Sequence, residues 1–117
     1  MRVTSSLWVG AHVRRCNSAG AMTVVSRRGA EEAGAIFVIV DRLDGTNDLY
    51  APAPQSSFEE SHPSDRMFQR VMTGVPTDAL TERIGREVRF DPDLWVVAVE
   101  DRQGRAFLET IREGDAG

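Results

Sequence analysis

Apolar positions recur along this chain with two different periods, and their succession predicts a mixed fold of helices and strands. Val9, Val13 and Cys16 follow helical spacing, with Leu7 and Ala11 alongside. Ser5 or Ser6 supplies an N-cap and Asn17-Ser18-Ala19-Gly20 a stop, so a helix is predicted to about residue 19. The same stretch also alternates as Leu7, Val9, Ala11 and Val13, which keeps a strand as the competing reading. Met22 to Ser26 is a β-branched run closed by Arg27-Arg28-Gly29. Ala35 to Val40 is apolar on both faces and reads as a central strand. Asp44-Gly45 makes a tight turn, and Asp48 to Ala51 returns from it until Pro52 and Pro54 intervene.

Residues 52–65, rich in Pro, Ser and Glu, read as a long flexible loop. Met67 to Met72 is the next strand. Pro76-Thr77-Asp78 opens a second helix, whose Leu80, Ile84 and Val88 share one stripe and which ends near Phe90. Asp91-Pro92-Asp93 redirects the chain into Leu94 to Val99. A turn at Arg102-Gln103-Gly104 leads to a short final strand at Ala106 to Leu108, and residues 113–117 are expected to fray. Short connections favour antiparallel pairing. The expected fold is therefore α+β, with a mostly antiparallel sheet of five to six strands and both helices packed on one face.

A chain of 117 residues has the length of one domain, and no linker or convincing repeat divides it. The 18 acidic residues outnumber the 14 basic ones, giving a net charge of −4, which argues against nucleic acid as a general partner. One cysteine, Cys16, excludes an intrachain disulfide and fits a reducing compartment. The start has the outline of a signal peptide, but Thr4-Ser5-Ser6 dilutes its apolar stretch and Arg14-Arg15 falls where cleavage sites are small and neutral. No apolar run approaches the ~20 residues that span a bilayer. The expectation is a cytoplasmic protein without membrane contact.

Several segments together resemble a known family. Ser6-Leu7-Trp8-Val9, Val13-Arg14-Arg15, Arg27-Arg28-Gly29, Ala33-Gly34-Ala35 and above all Arg89-Phe90-Asp91-Pro92-Asp93-Leu94-Trp95-Val96-Val97 are similar to a family of short alphaproteobacterial proteins catalogued as a domain of unknown function. The resemblance covers nearly the whole chain. It implies a free-standing bacterial protein, and it supplies neither an activity nor catalytic residues.

A second, shorter resemblance carries chemistry. Asp41-Arg42-Leu43-Asp44-Gly45-Thr46-Asn47 resembles the metal-binding motif of inositol-monophosphatase-like sugar phosphatases. Position by position, it implies Asp41 and Asp44 as Mg²⁺ ligands and Thr46 as a helper, since paired metals stabilise attacking and leaving groups of a phosphate. Arg42 stands where that motif has proline, its second acidic motif has no counterpart, and the chain is less than half the length that fold needs. The alternative is a hairpin turn with Asp-Gly at its tip.

His12 and Cys16, four apart on a helix, are half of a zinc set that His62 and an acidic residue would complete; the alternative is a buried thiol beside a partly exposed histidine. Arg14, Arg15, Arg27 and Arg28 are candidate binding residues for phosphate, nucleic acid or an acidic partner, provided the helix end and the strand end converge. Trp8 and Trp95, each inside an apolar run, read as core or interface anchors. No glycine-rich phosphate loop, cofactor motif or Ser-His-Asp arrangement is present. The leading expectation is a non-enzymatic module that binds a protein partner or a second copy of itself. The alternatives are a nucleic-acid or phosphate binder and a metal-dependent phosphatase.

Overall fold

The computed structural model describes residues 3–54 and 66–111. His62, most of the expected loop at 52–65 and the expected frayed end at 113–117 lie outside them. The elements run α1 (Ser5–Ser18), β1 (Met22–Arg27), β2 (Ile36–Asp41), β3 (Asn47–Pro52), β4 (Phe68–Val75), α2 (Thr77–Phe90) and β5 (Trp95–Glu100). The first segment is a helix. Its cap is Thr4 rather than Ser5 or Ser6: the Leu7 N–H donates to Thr4 Oγ1 at 3.2 Å. The Ser5 and Ser6 N–H groups instead donate to the Glu32 and Glu31 carbonyls, which ties the start of α1 to the loop after β1.

The five strands form one sheet in the order β1-β5-β2-β3-β4. Three of the four pairings are antiparallel, and β2 runs parallel to β5. This is an α+β fold with a mostly antiparallel sheet. Inserting β5 between β1 and β2 requires the 28–35 loop to cross the start of β5, and that crossing is tightly packed. Ala30 N–H donates to Asp93 O, Trp95 N–H donates to Ala35 O, and Trp95 Nε1 donates to Ala30 O at 2.8 Å. A Cβ at Gly29 or Gly34 would stand 2.3 or 2.4 Å from Asp93 O, so only glycine fits beneath the 93–95 segment.

The helices do not share a face. Val9, Trp8, Val13 and Cys16 of α1 pack with Ile36, Val38, Val40, Trp95, Val97 and Val99. Leu80, Ile84 and Val88 of α2 pack with the alternate residues Phe37, Ile39, Leu49 and Val96. Strand residues i and i+1 point to opposite faces, so α1 and α2 cover opposite sides of the sheet. That corrects the expectation of one face, and it explains why β2 is apolar on both sides.

The expected final strand at Ala106 to Leu108 does not form. Phe107 adopts a left-handed conformation (φ 59°), which breaks any extended run. The chain instead meets β4 further on, where Thr110 bridges to Phe68.

Candidate functional site

The four arginines singled out by sequence are not brought together. Arg14 and Arg15 lie nine and ten residues along α1 from Ser5, roughly 14 Å along its axis. Arg27 ends β1 and Arg28 follows it, in the loop that holds the start of α1. Arg15, Arg27 and Arg28 each have their own local contact. Arg15 donates to Phe107 O at 3.2 Å, and Arg27 donates to Pro92 O at 2.8 Å. Arg28 lies over the Trp95 ring at 5.3 Å and pairs with Glu31 at 3.7 Å, both side chains well exposed. A hollow of about 650 Å³ lined by Trp8, Arg15, Phe107 and Glu109 includes Arg66, which donates to Val3 O. Its two guanidinium groups face backbone carbonyls and a carboxylate shares the wall, a poor arrangement for an anion.

The acidic turn is built as a turn. Asp41 Oδ1 accepts from the Leu43 N–H at 2.8 Å, and Asp44 Oδ1 accepts from the Thr46 N–H and hydroxyl at 3.0 and 2.6 Å. The two bonds from Thr46 hold the Asp44 carboxyl below its ordinary range. Thr46 thus assists Asp44 in closing the hairpin. No group of three or more His, Cys, Asp or Glu side chains positioned for a metal occurs among the described residues. The proline-to-arginine departure turns out to be structural: Arg42 donates through Nε at 3.1 Å, and again through Nη2, to the wholly buried Asp48. Asp48 Oδ1 also accepts from the Gly74 N–H at 2.8 Å, linking β3 to the end of β4. A buried charge so compensated costs little and positions three segments.

His12 is fully buried, not partly exposed. Its Nε2 donates to Ala106 O at 2.9 Å, while its ring stacks on Trp8 at 4.8 Å. Nδ1 has no hydrogen-bond partner, so the ring is the neutral tautomer with the proton on Nε2. Burial is the main reason its pKa falls below the usual value. Cys16 Sγ lies 3.4 Å from the same Nε2, and burial pushes the thiol up, away from thiolate. Both residues join α1 to the core and to the 106–108 segment.

What the structure leaves uncovered lies on the other side of the sheet. Helix α2 runs nearest to β3. Among the described residues, no helix covers the β1 end of that face. Met22 is 64% exposed and Val24 54%, and the pairing of Val24 with Ala98, and of Ala98 with Ile39, makes an apolar row across three strands. The row opens into a groove of about 230 Å³ between α2 and the sheet, lined by Ile39, Leu80, Ile84 and Val96. At one end of β1 stand Arg27 and Arg28; at the other, Met22 pairs with the exposed Glu100. Sequence reasoning missed this surface, because Met22 and Val24 look like ordinary core strand residues until the position of α2 is known.

The segments that carried the family resemblance do converge. Ser6, Gly29, Gly34 and Asp93-Leu94-Trp95 meet at the crossing over β5. A family described as "Protein of unknown function (DUF1491)" matches residues 3–109. The crystal structure of a DUF1491 family protein from Caulobacter crescentus CB15 superimposes with a TM-score of 0.77 at 34% identity, covering 96% of this chain and 100% of that one. The solution structure of a protein from A. tumefaciens gives a TM-score of 0.75 at 42% identity, covering 86% of each chain. An NMR structure of a DUF1491 family protein from Caulobacter crescentus CB15 gives 0.77 at 34% identity, covering 96% and 99%. No curated protein matches.

Proposed function

We propose that this chain, which belongs to the DUF1491 family of proteins of unknown function, is a non-enzymatic binding module that pairs with a second copy of itself through the uncovered β1 side of its sheet. The observation that carries the reading is the apolar row Met22, Val24, Ala98 and Ile39, which continues into the groove beside α2. Apolar strips on an edge strand mark association surfaces. The charges select the partner. In a two-fold arrangement with the two β1 strands antiparallel, Arg27 of one copy meets the Glu100 end of the other, so the surface is self-complementary. The polar side chains with catalytic potential have structural duties instead: Asp41 and Asp44 in the hairpin, Asp48 with Arg42, His12 with Ala106.

No helix among the described residues is long and apolar enough to cross a membrane. The buried, protonated Cys16 suits a reducing compartment, and the reading places the protein in the cytoplasm. The test is the solution mass by light scattering. Wild type is expected at the dimer mass, Val24→Ala at an approximately tenfold weaker dimer, and Val24→Glu at the monomer mass, because the new carboxylate would be buried without a partner. Wild type at the monomer mass at every concentration, or a Val24→Glu protein that stays dimeric, overturns the reading.

A further inference from the structure

Among the described residues β1 is an outer strand, and an outer strand offers unpaired peptide groups to any extended chain that reaches it. At Thr23 those groups are already taken. The Thr23 N–H donates to Asn17 Oδ1 at 3.1 Å, and Asn17 Nδ2 donates back to the Thr23 carbonyl at 3.1 Å. These two bonds reproduce the reciprocal pair that a residue of a neighbouring antiparallel strand would exchange. Asn17 Nδ2 also donates to Val13 O at 2.9 Å, which anchors the carboxamide to α1 and fixes which of its ends is the donor. Strand alternation turns the peptide groups of Val25 to the same outer side as those of Thr23. The Val25 side chain is 41% exposed, so an approaching strand would meet no bulky cover there.

We propose that the Asn17 carboxamide is a plug on the β1 edge, denying it to strand addition by a second copy of this chain. A second β1 laid antiparallel against the first would need Thr23 and Val25 together to form a ladder; with Thr23 closed, one open residue is too short a ladder to hold. Self-association is thereby confined to side-chain packing on the α2 side and does not grow by joining sheets. The plug is inferred from the Asn17–Thr23 pair alone and stands whether wild type is a monomer or a dimer.

Removing the plug should convert the edge into a joining site. Asn17→Ala is expected to double the solution mass relative to wild type, whatever the wild-type mass is. The Thr23 amide should become exchange-labile at low concentration and protected again as the larger species forms. Asn17→Asp is the second variant: it keeps the acceptor for the Thr23 N–H but loses the donor to the Thr23 carbonyl, and should move the mass the same way. Adding Val25→Pro removes the remaining outward N–H at a position where an edge strand tolerates proline, and should restore the wild-type mass. A folded Asn17→Ala or Asn17→Asp protein that keeps the wild-type mass overturns the proposal. So does a mass increase that Val25→Pro leaves untouched. A Val24→Glu change that abolishes the wild-type dimer without altering the Asn17→Ala doubling separates this edge from the α2-side surface.

Discussion

Lowering the pH from 7.5 to 5.5 should destabilise this protein through His12. In the folded chain the neutral ring donates from Nε2 to Ala106 O, and Nδ1 is buried with no acceptor near it. Protonation would place a second N–H, and a charge, where nothing accepts it, with Arg15 adding repulsion. Burial outweighs the favourable bond to Ala106, so the folded pKa lies below the unfolded one. Over the interval between the two values the unfolded state binds more protons, and stability is lost as the pH falls. Stability is therefore complete above the unfolded value of about 6.5 and declines below it, by at most about 1.4 kcal/mol per pH unit, until the pH reaches the folded value. One unit of decline corresponds to a melting point lower by about 5–10 °C for a domain of this size. Urea titrations across this range measure it directly. His12→Gln should abolish the slope, which distinguishes His12 from His62. A wild-type stability that is flat from pH 7.5 to 5.5, or a slope that survives His12→Gln, would refute the reasoning.

Two further substitutions test the framework that presents the uncovered surface. Gly34→Ala places a Cβ 2.4 Å from Asp93 O and 3.0 Å from the Ala30 backbone, none of it a flexible side-chain end. It should cost at least about 1–3 kcal/mol in chemical denaturation, and a loss within error of zero would show that the crossing over β5 is looser than described. Asp48→Ala removes the acceptor of the Arg42 guanidinium and the Gly74 N–H, and should cost about 1–3 kcal/mol. A wild-type melting temperature in Asp48→Ala would mean that this buried pair contributes nothing.

Much of the secondary structure was legible because periodicity is local. The stripe Leu80, Ile84 and Val88 specifies α2, and the Asp44-Gly45 turn specifies the β2–β3 hairpin. Strand order was not legible, because the parallel pairing of β2 with β5 joins residues about sixty apart and leaves no local trace. The placement of the helices was half-written in the chain. Ile36 to Val40 is apolar at every position, and a strand apolar on both faces needs cover on both, which one face of helices cannot give. The 106–108 segment resembles a strand by composition, but side-chain bonds from His12 and Arg15 and the left-handed Phe107 hold it as a strap. The same limit hid the candidate surface: the exposure of Met22 and Val24 follows from α2 lying over β3, and the closure of Thr23 follows from where α1 ends.

The most direct measurement of the central claim is a dilution series followed by backbone and methyl NMR on the uniformly labelled chain. Concentration-dependent shifts are expected at Met22, Val24, Arg27, Ile39, Ile84, Ala98 and Glu100, with the outer surface of α1 around Leu7 unchanged. Spectra that do not change on dilution while the mass stays monomeric, or changes that map to α1 instead, would contradict it.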